Sequence, residues 1–481
     1  MIAESPRRGA FDVVVIGAGS AGLVSASGAA GLGARTAIIE KARFGGECLW
    51  TGCVPSKALI RTAQLRRDAR CAGDVGLEPS EIGFHFSEVM ASMRAVIARI
   101  EPHDAPQTMQ ERGITTIHGT ARILAPHRIV VAGEELETKR IVIATGSRPV
   151  LPPIEGIEDV GYLTHETILE LEERPQRLIV LGAGPVGLEF AQIFARLGTG
   201  VTVVEMASSI LPREDAEASA ALREILAEEG IEFRLGWQAV AAERAGDGAR
   251  LRLEGREGSR SEVTGDVILV ATGMRPFTES LGLENAGVEL TSDGAIRVDD
   301  TMRTSAANVW AAGDVTGKLF FTHVADYQAR LVVRNMFFPF RGKADYGRIG
   351  WATFTDPTLA RIGLTESQAR ERHGDRVRVY RQPFDDLDRA ITDRAGRGFV
   401  KLVTDARGRL LGAHILGSHA DAVIHEVAIA MRSGMKAGPL SQLVHIYPTW
   451  PEGVRRAADA YYRERFAESR LRPLIRWWVR R

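Results

Sequence analysis

Cys48 and Cys53, five positions apart in GGECLWTGCVPSK (45–57), are the residues whose types and spacing best suit chemistry in this chain. Such a pair can be a redox couple, half of a metal site, or two thiols sharing a helix by accident. A metal site would need about two more Cys or His ligands to complete a tetrahedron. Cys71, the third and last cysteine, supplies no second pair, so no metal site is expected. Three cysteines among 481 residues make no secreted disulfide framework, which leaves a transient, catalytic bridge as the favoured reading.

Geometry constrains that bridge. Five residues of regular helix rise about 7.5 Å and turn about 140° out of phase, whereas bridged Cα atoms sit about 4.4–6.8 Å apart. The spacing therefore predicts a distorted turn over 48–53 and regular helix from about Pro55, whose missing N–H is best tolerated in a first helical turn. Cys53 then lies near a positive helix end, which favours thiolate. Lys57, four residues on, shares its face and could add a second positive charge.

The elements that must position this pair come in two copies. FDVVVI (11–16) runs into Gly17-Ala-Gly19-Ser-Ala-Gly22, and RTAIIE ends in Glu40, 23 residues after Gly17. RLIVLG runs into Gly182-Ala-Gly184-Pro-Val-Gly187, and VTVVE ends in Glu205, again 23 residues after the first glycine. Glycines without a Cβ let the chain turn tightly against a pyrophosphate, whose charge rests on amides at a helix N-terminus. The acidic residue accepts from ribose hydroxyls. One copy could be a plain strand-to-helix turn; two with equal spacing imply two dinucleotides. IVIATGSRP (141–149) and ILVATGMRP (268–276) echo one another and support a duplication.

Composition bounds the rest. The length suggests two to four domains. Lys plus Arg and Asp plus Glu balance at 61 each, so no net field draws the whole chain to nucleic acid or an acidic membrane. No run of about 18 apolar residues occurs, and residues 1–10 hold no apolar leader segment. A cytoplasmic location is expected.

These motifs, with NVWAAGDVTG (308–317) and TDPTLARIGLTE (355–366), resemble the flavin-dependent pyridine nucleotide-disulfide oxidoreductases over about residues 11–465. That group includes dihydrolipoamide dehydrogenase, glutathione reductase and mercuric reductase. The resemblance implies an α/β chain with two Rossmann-like dinucleotide-binding domains and a C-terminal α+β dimerisation domain. It places an FAD domain at 10–155 and 281–347, an NAD(P) domain at 156–280, an interface domain at 348–465 and a basic aromatic tail at 466–481. A homodimer is implied.

On matching positions, Cys53 would be the thiolate touching the flavin and Cys48 the outer thiol that meets substrate. Lys57 and Glu189 match an ion pair beside the flavin, and Asp314 would accept from its ribityl chain while also capping the next helix. The backbone of Gly119 to Ala121 matches a segment near the adenine, and Gly273 joins the nucleotide-binding glycines. Glu205 would repel a 2′-phosphate, so NADH is expected over NADPH. Arg213 could bend this preference, but in ILPRED it is read as capping or solvating a helix start.

One departure matters. Relatives that reduce disulfides carry His-Pro-Thr and a Glu three residues after the Thr, the imidazole passing a proton to the outer thiol of the other subunit; this chain reads His445-Ile-Tyr447-Pro448-Thr449-Trp-Pro-Glu452. A phenol with a pKa near 10 is a poor base at neutral pH. His445 is offset by about 6.5 Å along an extended segment and is read as packing. Glu452 keeps the family position, against the alternative of a solvated carboxylate in a first helical turn.

The resemblance therefore favours the mercuric-reductase-like branch, with a soft metal ion such as Hg(II) or another thiolate-accessible acceptor. A dihydrolipoamide dehydrogenase or other small-disulfide reductase is the alternative, and a membrane-associated flavin redox sensor the rival of another class. Residues 470–481, RLRPLIRWWVRR, could lie on an anionic membrane surface; a tail packed on the dimer partner, or left solvated, is the favoured alternative.

Overall fold

The computed structural model describes residues 10–481, so the reading of the first ten residues falls almost entirely outside it. Val13–Ile16 is buried throughout and pairs in parallel with Thr36–Glu40 on one side and Ile141–Ile143 on the other. Thr115–His118 and Val309–Ala311 complete a five-stranded parallel sheet. Such strands carry continuous apolar runs because helices cover both faces, and the Ser20–Gly31 and Thr322–Phe337 helices pack against one another over this sheet.

The second copy repeats the plan. Glu232–Leu235, Gly200–Glu205, Arg177–Leu181 and Val267–Val270 form a four-stranded parallel sheet. Each parallel sheet has a three-stranded antiparallel companion, 121–137 in the first half and 237–265 in the second. The two echoing segments also find each other: Met274–Pro276 pairs antiparallel with Ser147–Pro149. Duplicated halves are thus stitched together by their own equivalent residues.

The C-terminal part is a five-stranded antiparallel sheet in the order Gly350–Thr353, Thr358–Gly363, Leu410–Gly417, Phe399–Asp405, Val377–Pro383. RGFVKLV and LLGAHIL are neighbours in it, and the Asp405 carboxylate accepts from the Arg407 and Arg409 amides to close the turn between them. The Ala420–Ser433 and Glu452–Glu468 helices pack on this sheet. No helix among the described residues is long and apolar enough to cross a membrane.

Candidate active site

The chain around the two cysteines is broken as their spacing requires, but differently in detail. A short helix, Gly46–Trp50, carries Cys48; Thr51 and Gly52 interrupt it; a new helix, Cys53–Arg70, begins at Cys53 itself. Regular helix therefore starts two residues before Pro55. Pro55 is the third residue of that helix, where its absent N–H leaves no intrahelical bond unmade. Gly46 is forced to be glycine: at φ +61, an added Cβ would lie 2.6 Å from the Gly19 Cα. The cysteine motif thus sits against the first glycine loop.

Both cysteines are free thiols opening onto one large cavity of about 2450 Å³. That is more than twice the roughly 300–1,000 Å³ of an ordinary small-molecule site. The hydrogen bond from Cys48 holds Cys53 down to about 6 against its burial; Thr322 and the Lys57 charge assist, and Glu189 opposes them. The same bond, with burial, drives Cys48 far up. The pair therefore carries one thiolate, on Cys53, and keeps its proton on Cys48.

Lys57 Nζ lies 2.8 Å from Glu189 Oε2 and 4.4 Å from the Phe354 ring centroid. Glu189 is 6 % exposed, and its second oxygen accepts from the Phe354 amide at 2.9 Å. A buried carboxylate needs such partners to stay charged. This pair joins the cysteine helix to the helix of the second glycine loop, Pro185–Arg196.

The glycines divide their work identically in both copies. At Gly17 an added Cβ would meet the Ala144 carbonyl at 2.4 Å, and at Gly22 the Gly17 carbonyl at 1.8 Å. Gly182 and Gly187 repeat this against Ala271 and Gly182, at 2.5 and 2.1 Å. The middle glycines are different. A Cβ on Gly184 would meet nothing within 4 Å, one on Gly19 only the Gly46 Cα at 3.8 Å, and both residues line the cavity. The outer glycines close the turn, while the middle one leaves room for a ligand's phosphates.

Glu40 and Glu205 are also matched. Glu40 accepts from the Ala18 and Ala42 amides at 2.7 and 2.8 Å; Glu205 accepts from Ala183 and Ala207, both at 2.8 Å. Each carboxylate fixes its glycine loop and retains lone pairs for ribose hydroxyls. Gly273 lines the cavity at φ +131 with open space around it. Arg213 also lines the cavity, and its carbonyl accepts from Arg361.

Asp314 does not cap the next helix. It opens a short 3₁₀ turn, Asp314–Thr316, while Phe321 precedes the Thr322–Phe337 helix. Its carboxyl faces the cavity and accepts from Ser147 at 2.7 Å; burial pushes its pKa up to about 6. Ala121 does not line the cavity: it starts the buried edge of Ala121–Ala125. The connection to the nucleotide loop comes through Gly119, whose amide donates to the Glu40 carbonyl at 2.9 Å.

Three contacts in the site carried no signal in the sequence. Thr322 Oγ1 lies 3.3 Å from Cys53 Sγ, although 269 residues separate them. Buried His165, from the second nucleotide unit, sits 3.0 Å from Glu47 beside Cys48. Ser147 holds Asp314. Only folding brings these together, since no local spacing links them.

Tyr447 and Glu452 lie away from this cavity. Tyr447 is 66 % exposed and donates to Asp388 Oδ2 at 2.9 Å. His445 Nε2 meets Glu426 at 2.9 Å and does not join Tyr447. Glu452 is not the solvated carboxylate considered from sequence: it is 4 % exposed, with Oε1 held by Arg455 and Oε2 unpartnered among the described residues. Val444 and Ile446, flanking His445, stand fully or largely exposed, as residues of a subunit interface do in a lone chain.

Residues 11–329 match the model of the family described as pyridine nucleotide-disulphide oxidoreductase, and residues 349–458 match its dimerisation domain. The chain belongs to this family. The oxidoreductase is 35% identical over 458 residues to a mercuric reductase of Streptomyces lividans, covering 94% of this chain and 96% of that one. It is 34% identical over 463 residues to a dihydrolipoyl dehydrogenase of Corynebacterium glutamicum, covering 93% and 97%. Among solved structures it resembles the Cu(II) complex of the HOCl-induced flavoprotein disulfide reductase RclA from Escherichia coli. That likeness has a TM-score of 0.83 and 29% identity over 94% of this chain and 99% of that one. Members of the family use FAD and NAD(P)H, and the match to the dimerisation domain supports a homodimer.

The residues present fit those groups. The first glycine loop, Glu40, Asp314 (held by Ser147) and Lys57 would hold FAD; the second loop, Glu205 and Gly273 would hold the nicotinamide nucleotide. Bound FAD supplies a two-electron relay between nicotinamide and sulfur. The chain's own part is to keep a thiolate at Cys53, a proton on Cys48 and a charge pair, Lys57–Glu189, between the two nucleotide units.

Proposed function

We propose that the oxidoreductase takes electrons from NADH and delivers them, by way of FAD and the Cys48–Cys53 couple, to a soft metal ion of the Hg(II) or Cu(II) kind. For Hg(II) the reaction balances as NADH + Hg(II) → NAD⁺ + H⁺ + Hg(0), and for Cu(II), a one-electron acceptor, as NADH + 2 Cu(II) → NAD⁺ + H⁺ + 2 Cu(I). The observation that carries this reading is the hydrogen bond between Tyr447 and Asp388. Reducing a disulfide needs a base that takes the Cys48 proton and returns it to the leaving thiolate, and Tyr447 is a phenol that Asp388 holds in its protonated form, its pKa raised. A metal ion needs no acid: it is gripped by thiolates, and its binding displaces the Cys48 proton. The likeness to mercuric reductases and to a Cu(II)-bound relative supports the same class.

Glu205, with both oxygens on backbone amides beside the second glycine loop, supports NADH over NADPH. We take residues 10–155 with 281–347 as the FAD unit, 156–280 as the NAD unit and 348–465 as the interface unit, in a reducing, cytoplasmic setting. The test is steady-state NADH oxidation with Hg(II), Cu(II), lipoamide, glutathione disulfide and quinones. Metal-dependent turnover lost in Cys48→Ser supports the proposal. Faster turnover of lipoamide or glutathione disulfide than of either metal would replace it with a small-disulfide reductase.

A further inference from the structure

The last helix, Arg472–Val479, takes no part in the site described above, and the family match ends at residue 458. Leu471, Leu474, Ile475 and Trp478 follow the i, i+3, i+4, i+7 spacing that puts side chains on one helical face. Arg472, Arg476 and Arg480, four apart, line the opposite side. The apolar stripe is bare: Trp478 is 73 % exposed, and Leu471, Leu474 and Trp477 are exposed as well. The Arg481 guanidinium rests 4.0 Å from the Trp477 ring centroid. Five arginines, at 470, 472, 476, 480 and 481, follow Glu468 in a chain whose formal net charge is zero.

We propose that this helix docks the oxidoreductase on the surface of an anionic phospholipid bilayer. The apolar stripe enters the boundary between headgroups and acyl chains, the arginines meet lipid phosphates, and the paired tryptophans sit at the headgroup level, where an apolar ring with a polar edge is best accommodated. The dimer partner, favoured from sequence, is a poor occupant, because the dimerisation-domain match ends at residue 458, before this helix, and two arginine-rich helices would repel. Nucleic acid would satisfy the arginines but leave the Leu-Ile-Trp stripe in water. At eight residues, about 12 Å, one helix binds weakly and reversibly; the homodimer carries two.

The test is co-sedimentation of the full-length holoenzyme with vesicles of phosphatidylcholine alone and of phosphatidylcholine with phosphatidylglycerol. The expected result is binding to the anionic vesicles only, reduced about tenfold or more by high salt. It should be reduced similarly in Arg472→Gln/Arg476→Gln/Arg480→Gln and in Trp477→Ala/Trp478→Ala. NADH oxidation with a soluble acceptor should be unchanged in both variants. The proposal is overturned if anionic vesicles bring down no enzyme. It is equally overturned if duplex DNA competes the enzyme off them while the tryptophan variant binds normally, or if either variant dissociates the dimer in light scattering.

Discussion

Tyr447 donates a 2.9 Å hydrogen bond to Asp388 Oδ2, and Arg456 holds the same oxygen at 3.3 Å. The phenol is thereby anchored to a carboxylate on its own subunit and kept protonated. Five residues on, Glu452 keeps a buried oxygen with no partner among the described residues. A position that could orient a proton-transfer group is present, but the group at 447 is engaged elsewhere.

Replacing the phenol by an imidazole should therefore restore acid–base capacity. We expect Tyr447→His to raise kcat/KM for lipoamide or glutathione disulfide about a hundredfold, the lower end of what positioned general acids contribute. Metal-dependent turnover should stay within about twofold. Steady-state kinetics on both acceptors checks this; no gain with either disulfide means that the shape of the acceptor site, and not the missing base, limits the enzyme.

The reduced cysteine pair should titrate as one low and one high group. Cys53 is held down to about 6, first by the Cys48 hydrogen bond, so one thiolate should appear as pH rises through about 6 and remain above it. Ultraviolet thiolate absorbance measures it. Cys53→Ser should abolish the step, and Lys57→Met should move it to higher pH, since a positive charge that favours thiolate is gone.

The middle and third glycines of the second loop should separate binding from folding. Gly184→Val has room in the protein and should fold normally while raising KM for NADH about tenfold or more, equivalent to about 1.4 kcal/mol of lost binding. Gly187→Ala sets a Cβ 2.1 Å from the Gly182 carbonyl. It should lower the urea midpoint. Equal loss of stability in both variants would contradict this division of roles.

Glu205 should govern the choice of nucleotide by charge. Glu205→Gln keeps one acceptor and removes the repulsion of a 2′-phosphate, at the loss of one of the two backbone bonds to Ala183 and Ala207. The NADH-to-NADPH ratio of kcat/KM should fall about tenfold. A ratio unchanged by the substitution would shift attention to Arg213, which lines the same cavity.

The paired glycine loops and their acidic residues 23 positions on were legible because each is a local device. Strand, turn and helix follow within one stretch of chain, so spacing alone encodes the geometry. The break between Cys48 and Cys53 was legible for the same reason, though its form was not: two helices meeting at Thr51-Gly52 depend on Gly46 packing against Gly19. Asp314 was placed in the cavity but not on its true partner, since Ser147 lies 167 residues away.

By itself, the sequence determined the residue types that bind phosphates, carry electrons and withhold a histidine at 447, because covalent order and short-range backbone geometry suffice for those. Tertiary structure alone decided that Cys53 meets Thr322, that Glu47 meets His165, that Tyr447 is bound to Asp388 and that Glu452 is buried. Those contacts join segments far apart in the chain. The buried ones among them, His165 beside Glu47 and the Glu452 carboxylate, draw on burial and on charges brought close in a low-dielectric interior, which exist only once the chain has folded.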